Sequence, residues 1–90
     1  MIEKLFKMVE EAHAGMCIML EYYHVTDYVI SIYKSPAFIE ENSPLIRTEG
    51  SLDASVVEAY FMLDYYLSLS KDERGKIVSL DRKIVRKERQ

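Results

Sequence analysis

The stretch Val25-Thr-Asp-Tyr-Val-Ile-Ser-Ile-Tyr33 decides the fold, because it can be read in two ways. Its β-branched and aromatic side chains favour a strand on propensity alone. A lone strand, however, leaves its backbone donors and acceptors unpaired, and no second strand-like run or hairpin turn stands out elsewhere to pair with it. On that ground the stretch is assigned to a helix, and the expected fold is all-α.

Toward the N-terminus, Ile2, Leu5, Phe6, Val9, Ala12, Met16 and Leu20 recur at three- and four-residue spacing, which predicts one stripe of an amphipathic helix. Glu3, Lys7, Glu10 and Glu11 lie off that stripe. From Cys17 onward apolar residues appear all round, as expected of a helix covered on more than one side. Pro36 ends this element near Ser35, since the residue before proline avoids the α region.

Toward the C-terminus, residues 35–51 hold both prolines and Gly50. Ser35-Pro36 and Ser43-Pro44 each combine an N-cap with a first-turn proline, so one or two short helical turns are expected there. A second long helix is predicted from Asp53 to Leu69, capped by Ser51 or Asp53, with Val56, Val57, Tyr60, Phe61, Leu63, Tyr65 and Leu67 covering most of its circumference. Ser70-Lys-Asp-Glu73 has the pattern of a capping box. It opens a third helix, expected from Lys71 to about Lys87, with Ile77, Leu80 and Ile84 on one face and Gly75 weakening its start by about 1 kcal/mol relative to alanine. The expectation is therefore a single three-helix domain over residues 1–90 that dimerises as a helical bundle, with a basic C-terminal helix over 71–89.

Composition narrows the function. A chain of 90 residues hides only about 60–70% of the surface its unfolded form exposes, so a partner subunit adds needed burial. The single cysteine, Cys17, makes no internal disulfide and excludes two-cysteine redox and zinc-ribbon motifs. Glu21, His24 and Asp27 interrupt the most apolar stretch, which argues against a membrane span of about 20 residues. The mixed charges of Met1-Ile-Glu-Lys-Leu-Phe-Lys7 do not fit a signal peptide, and a cytoplasmic location is expected. The net charge of −3 conceals a division: residues 1–70 carry four basic and eleven acidic side chains, whereas residues 71–90 carry eight basic and four acidic. Such asymmetry bears on partners rather than on fold.

Three groups of residues have the chemistry for function. On a helix, Glu10, His13, Cys17, Glu21 and His24 would fall in one narrow sector, and all are potential metal ligands. The two Glu-x-x-His pairs lie about 16 Å apart along such a helix and cannot close on one metal pair within a monomer, so no metal or other cofactor is expected. Cys17 would lie mid-helix, far from an oxyanion donor, and no glycine-rich phosphate loop or nucleophile elbow is present, so no catalysis is expected. Tyr22, Tyr23, Tyr28, Tyr33, Tyr60 and Tyr65 pair an apolar ring with a polar tip, a chemistry enriched at protein interfaces, and are assigned to self-association. Arg82, Lys83, Arg86, Lys87 and Arg89 form a cationic arc assigned to an acidic partner protein.

The sequence thus points to a small non-catalytic interaction or regulatory protein that self-associates and docks an acidic partner. A nucleic-acid-binding protein using the five cations on phosphates is the alternative, opposed by the acidic remainder of the chain. A metal-binding helical protein using Glu10, His13, Glu21 and His24 is the second alternative. Membrane association is not expected, because the apolar side of the basic helix lacks Trp and Phe.

Overall fold

A computed structural model of the chain describes residues 1–12 and 15–80. In chain order these form helix α1 (Ile2–Ala12), strands β1 (Cys17–Tyr23) and β2 (Asp27–Tyr33), the short helix α2 (Ala37–Glu40), strand β3 (Ile46–Gly50), and helices α3 (Leu52–Ser68) and α4 (Lys71–Lys76). The strands make one antiparallel sheet in the order β1-β2-β3. The fold is α+β, which overturns the all-α expectation and with it the helical bundle.

The correction begins at Gly15. The stripe of α1 is real as far as Ala12, with Leu5 and Val9 buried, but Gly15 has φ +96°, a conformation that L side chains rarely adopt. Beyond it the period changes from 3.6 to 2. Met16 and Leu20 continued the helical pattern because a spacing of four residues satisfies a strand face as well as a helix face. In β1, Ile18, Leu20 and Tyr22 stand opposite Ile32, Ile30 and Tyr28 of β2, so both sets share one face of the sheet.

The missing hairpin signal has a physical reason too. The β1–β2 turn contains neither glycine nor asparagine; its left-handed residue is Asp27, at φ +60°, a conformation that Asp tolerates better than most side chains. The partner for the other edge of β2 is β3, whose sequence Ile46-Arg-Thr-Glu-Gly50 carries two charges and ends in glycine. Asp27 and Tyr28 both stand opposite Gly50, a bulge at the end of the ladder.

The core lies between the sheet and the two long helices. Ile30, Ile32 and Ile46 cluster with Leu5 and Val9 of α1 and with Val56, Ala59, Met62, Leu63 and Tyr66 of α3. Alternation directs Val29, Ser31 and Tyr33 to the opposite face, where they are also buried although outside that cluster. A central strand buried on both faces reads as a continuous apolar run, which is why residues 25–33 lacked a clear alternation.

The C-terminal half follows its local signals more closely. Helix α3 starts at Leu52 with Ser51 as N-cap, its hydroxyl accepting from the Ala54 amide at 3.2 Å. Pro36 occupies the N-cap position of α2, whereas Ser43-Pro44 leads into β3 rather than into a helix. The Ser70–Glu73 capping box is formed in both directions. Helix α4 nevertheless stops at Lys76, because Ile77 is extended, so the helix expected to run unbroken to Lys87 is interrupted there, and its part from 81 to 87 lies outside the described residues. Tertiary contacts decide this: Ile77 and Leu80 pack on the core, the Leu80 amide donates to the Leu45 carbonyl at 2.7 Å, and the Lys34 ammonium donates to the carbonyls of Arg74 and Ile77.

Candidate functional site

Among the described residues strand β1 is an edge strand, hydrogen-bonded to β2 on one side only. Its sequence, Cys17-Ile-Met-Leu-Glu-Tyr-Tyr23, carries a single charge, Glu21, and contains no proline, glycine or lysine. Soluble proteins usually blunt a strand edge with charges, proline or a covering element, because its unpaired N–H and C=O groups are a template for another strand. Here the edge is long and apolar. Leu20 is 44% exposed, Tyr22 64%, Tyr23 47%, and Val25 in the following turn 90%.

The rings at this end of the sheet are ordered by one another. Tyr22 and Tyr28 stand directly opposite on the helix-side face, with ring centroids 5.1 Å apart and planes tilted by 57°, a favourable aromatic pair. On the other face the Tyr23 hydroxyl donates to Glu21 Oε2 at 2.6 Å. That hydrogen bond, followed by the charge of Glu21, stabilises the protonated phenol and raises the Tyr23 pKa above its ordinary value. On β3, an Arg47–Glu49 ion pair lies on this same face.

The six tyrosines assigned to self-association do not form one surface. Tyr22 and the half-buried Tyr28 pair at the hairpin end with Tyr23 on the opposite face there, Tyr33 is buried at the opposite end of β2, and Tyr60 and Tyr65 are partly buried against the core from α3. The Glu/His line is broken up. Glu10 is on α1, Cys17 and Glu21 are on β1, His24 is in the turn, and His13 lies outside the described residues. Among the described residues no cluster of three or more His, Cys, Asp or Glu side chains is placed to hold a metal ion, and the Cys17 thiol donates to the Gly15 carbonyl at 3.1 Å. Arg82, Lys83, Arg86, Lys87 and Arg89 also lie outside the described residues.

A second feature escaped the sequence. A cavity of about 500 Å³ lies where several elements end, lined by Ala12, Lys34, Tyr66, Lys71, Arg74 and Gly75. Lys71 and Arg74 share one side of α4 through their three-residue spacing, but Lys34 comes from the end of β2 and has no local relation to them. In the sequence Lys34 is one of four basic residues in 1–70, and nothing sets it apart from Lys4, Lys7 and Arg47. Tyr66 is buried, and desolvation raises its pKa against the opposing charge of Arg74.

Compared with protein-family models, with curated proteins and with solved structures, the chain shows no match.

Proposed function

We propose that this chain is a non-catalytic interaction module that self-associates through the free edge of β1. The observation that carries the reading is a seven-residue edge strand with one charge and a half-exposed leucine at its midpoint. A two-fold antiparallel pairing centred on Leu20 uses the whole strand. It sets Ile18 opposite Tyr22, Cys17 opposite Tyr23 and Met19 opposite Glu21 of the second copy, so the single carboxylate never faces itself. Aromatic against β-branched cross-strand pairs are among the favourable ones. Tyr22, Tyr23 and Leu20 are 64%, 47% and 44% exposed, so the pairing would hide their remaining area together with the strand backbone as part of the ~800 Å² per partner of a stable interface.

Docking of an acidic partner by Arg82, Lys83, Arg86, Lys87 and Arg89 remains part of this reading on charge alone. Sedimentation equilibrium tests the self-association. The full chain is expected to behave as a dimer, and Leu20→Lys, which puts a solvated charge at the centre of the edge without touching the buried core, as a monomer with unchanged far-ultraviolet circular dichroism. A chain that stays monomeric at high concentration, or a Leu20→Lys variant that still dimerises, overturns the proposal.

A further inference from the structure

The cavity at the junction of α1, β2, α3 and α4 has the chemistry of an anion site. Of the six described residues that line it, Lys34, Lys71 and Arg74 are cationic and none carries a carboxylate. This concentration stands out in a chain whose net charge is −3. Each cation is positioned differently. Lys34 is held by the carbonyls of Arg74 and Ile77, which use two of the three ammonium donors and leave one. Lys71 is exposed at the start of α4. Arg74 is partly buried, and its Nε is enclosed without a hydrogen-bond partner.

Three cations around one cavity call for an anionic acceptor between them. The other walls limit what that acceptor is attached to. Tyr66 contributes an aromatic ring and Ala12 a methyl group, while Gly75, where an added Cβ would meet nothing within 4 Å, leaves the mouth wide. A volume of about 500 Å³ exceeds what a bare phosphate fills and falls within the range of small-molecule sites.

We propose that this cavity binds a small phosphate monoester, the dianionic phosphoryl group lying among Lys34, Lys71 and Arg74 and the organic body lying against Tyr66. A dianion compensates three clustered cations better than a carboxylate does, and Arg offers the planar donor fork that suits phosphoryl oxygens. The site is independent of the β1 edge, so it stands or falls apart from self-association.

Titration of the full chain with phenyl phosphate, followed by amide chemical shifts, tests it. Saturable shifts are expected at Lys34, Tyr66, Lys71, Arg74 and Gly75, with binding weakened at least about tenfold in Arg74→Gln and in Lys71→Gln. Lys71 is exposed, so its variant keeps the test valid if Arg74→Gln disturbs the fold. Lys4→Gln, which removes an exposed cation of α1 outside the cavity, should bind as the parent does. Benzoate should bind more weakly than phenyl phosphate. Equal affinity in parent and Lys71→Gln, benzoate binding as tightly as phenyl phosphate, or no saturation would overturn the proposal. A phosphoserine peptide binding more tightly than phenyl phosphate would overturn the small-molecule assignment in favour of a phosphorylated protein.

Discussion

The Thr48 hydroxyl donates to the backbone carbonyl of Ser55 at 2.9 Å, joining β3 to the first turn of α3 inside the protein. Both residues are buried, and the Ser55 hydroxyl in turn reaches the Tyr28 carbonyl of β2 at 3.4 Å. Two buried polar side chains thereby fix where the helix sits on the sheet. Thr48→Val keeps the shape and removes the donor, so a loss of about 1 kcal/mol in urea unfolding is expected. An unchanged midpoint would show that the bond contributes no net stability.

Gly50 closes the same corner from the other side. It stands opposite both Asp27 and Tyr28 with φ +131°. Space is not the obstacle, since an added Cβ would come no nearer than 4.0 Å to Ser55 Oγ. The backbone conformation is. Gly50→Ala should destabilise by roughly 1–3 kcal/mol through strain alone, and thermal unfolding checks this; a neutral result would mean that the bulge relaxes.

The register of the proposed dimer is testable without disrupting it. Cys17 and Tyr23 lie at opposite ends of β1, about 20 Å apart by strand rise, too far for a disulfide within one chain. Across a two-fold axis at Leu20 the same two positions face each other. Tyr23→Cys should therefore form a covalent dimer under mild oxidation, read on a non-reducing gel, whereas Leu20→Cys would form a single bond at the axis. Failure of both Tyr23→Cys and Leu20→Cys to cross-link would indicate a different register.

The Tyr23–Glu21 hydrogen bond makes a statement about pH. Because the folded-state pKa of Tyr23 is raised, the contact contributes fully below the unfolded value of about 10 and is lost as pH rises through the higher folded value. Comparing tyrosinate absorbance of the parent with Tyr23→Phe isolates this titration. Glu21→Gln should bring it down toward the ordinary value, and an identical titration in both backgrounds would remove Glu21 as the cause.

At Ser70 the capping box holds only a six-residue helix, so its effect should stay local. Ser70→Ala is expected to cost about 1 kcal/mol and to speed hydrogen exchange at the Arg74 amide, which donates to the Ser70 carbonyl at 2.9 Å, while amides in β2 exchange as before. Uniform acceleration through the sheet would instead show that α4 and the sheet open together.

The parts of the fold that were legible from sequence depend on neighbours close along the chain. The stripe of α1, the Ser51 cap, the extent of α3 and the Ser70–Glu73 box all arise within a few residues, and each stands in the structure. The sheet was illegible for three separate reasons. Leu20 fits both periods, Asp27 turns the hairpin without the usual residues, and β2 is buried on both faces, which hides its alternation. The candidate surfaces divide in the same way. Tyr22, Tyr23 and Tyr28 were singled out for their chemistry and lie at one end of the hairpin, Tyr23 on the face opposite the other two, but the edge they flank exists only once β1 is a strand. Lys34 joins Lys71 and Arg74 solely through the tertiary path of the chain.

Strand order has a further consequence. Leu80 is tied beside Leu45, at the entry to β3, while β1 forms the far border of the sheet. Two copies joined at β1 would make a continuous six-stranded ribbon, on the order of 24 Å from one outer strand to the other at normal strand spacing. Leu80, the last described residue of each copy, would then lie toward its two opposite margins. If the basic residues that follow Leu80 dock an acidic target as proposed, such an assembly would hold one long target at two separated points, and splitting it into single copies should weaken capture by far more than twofold.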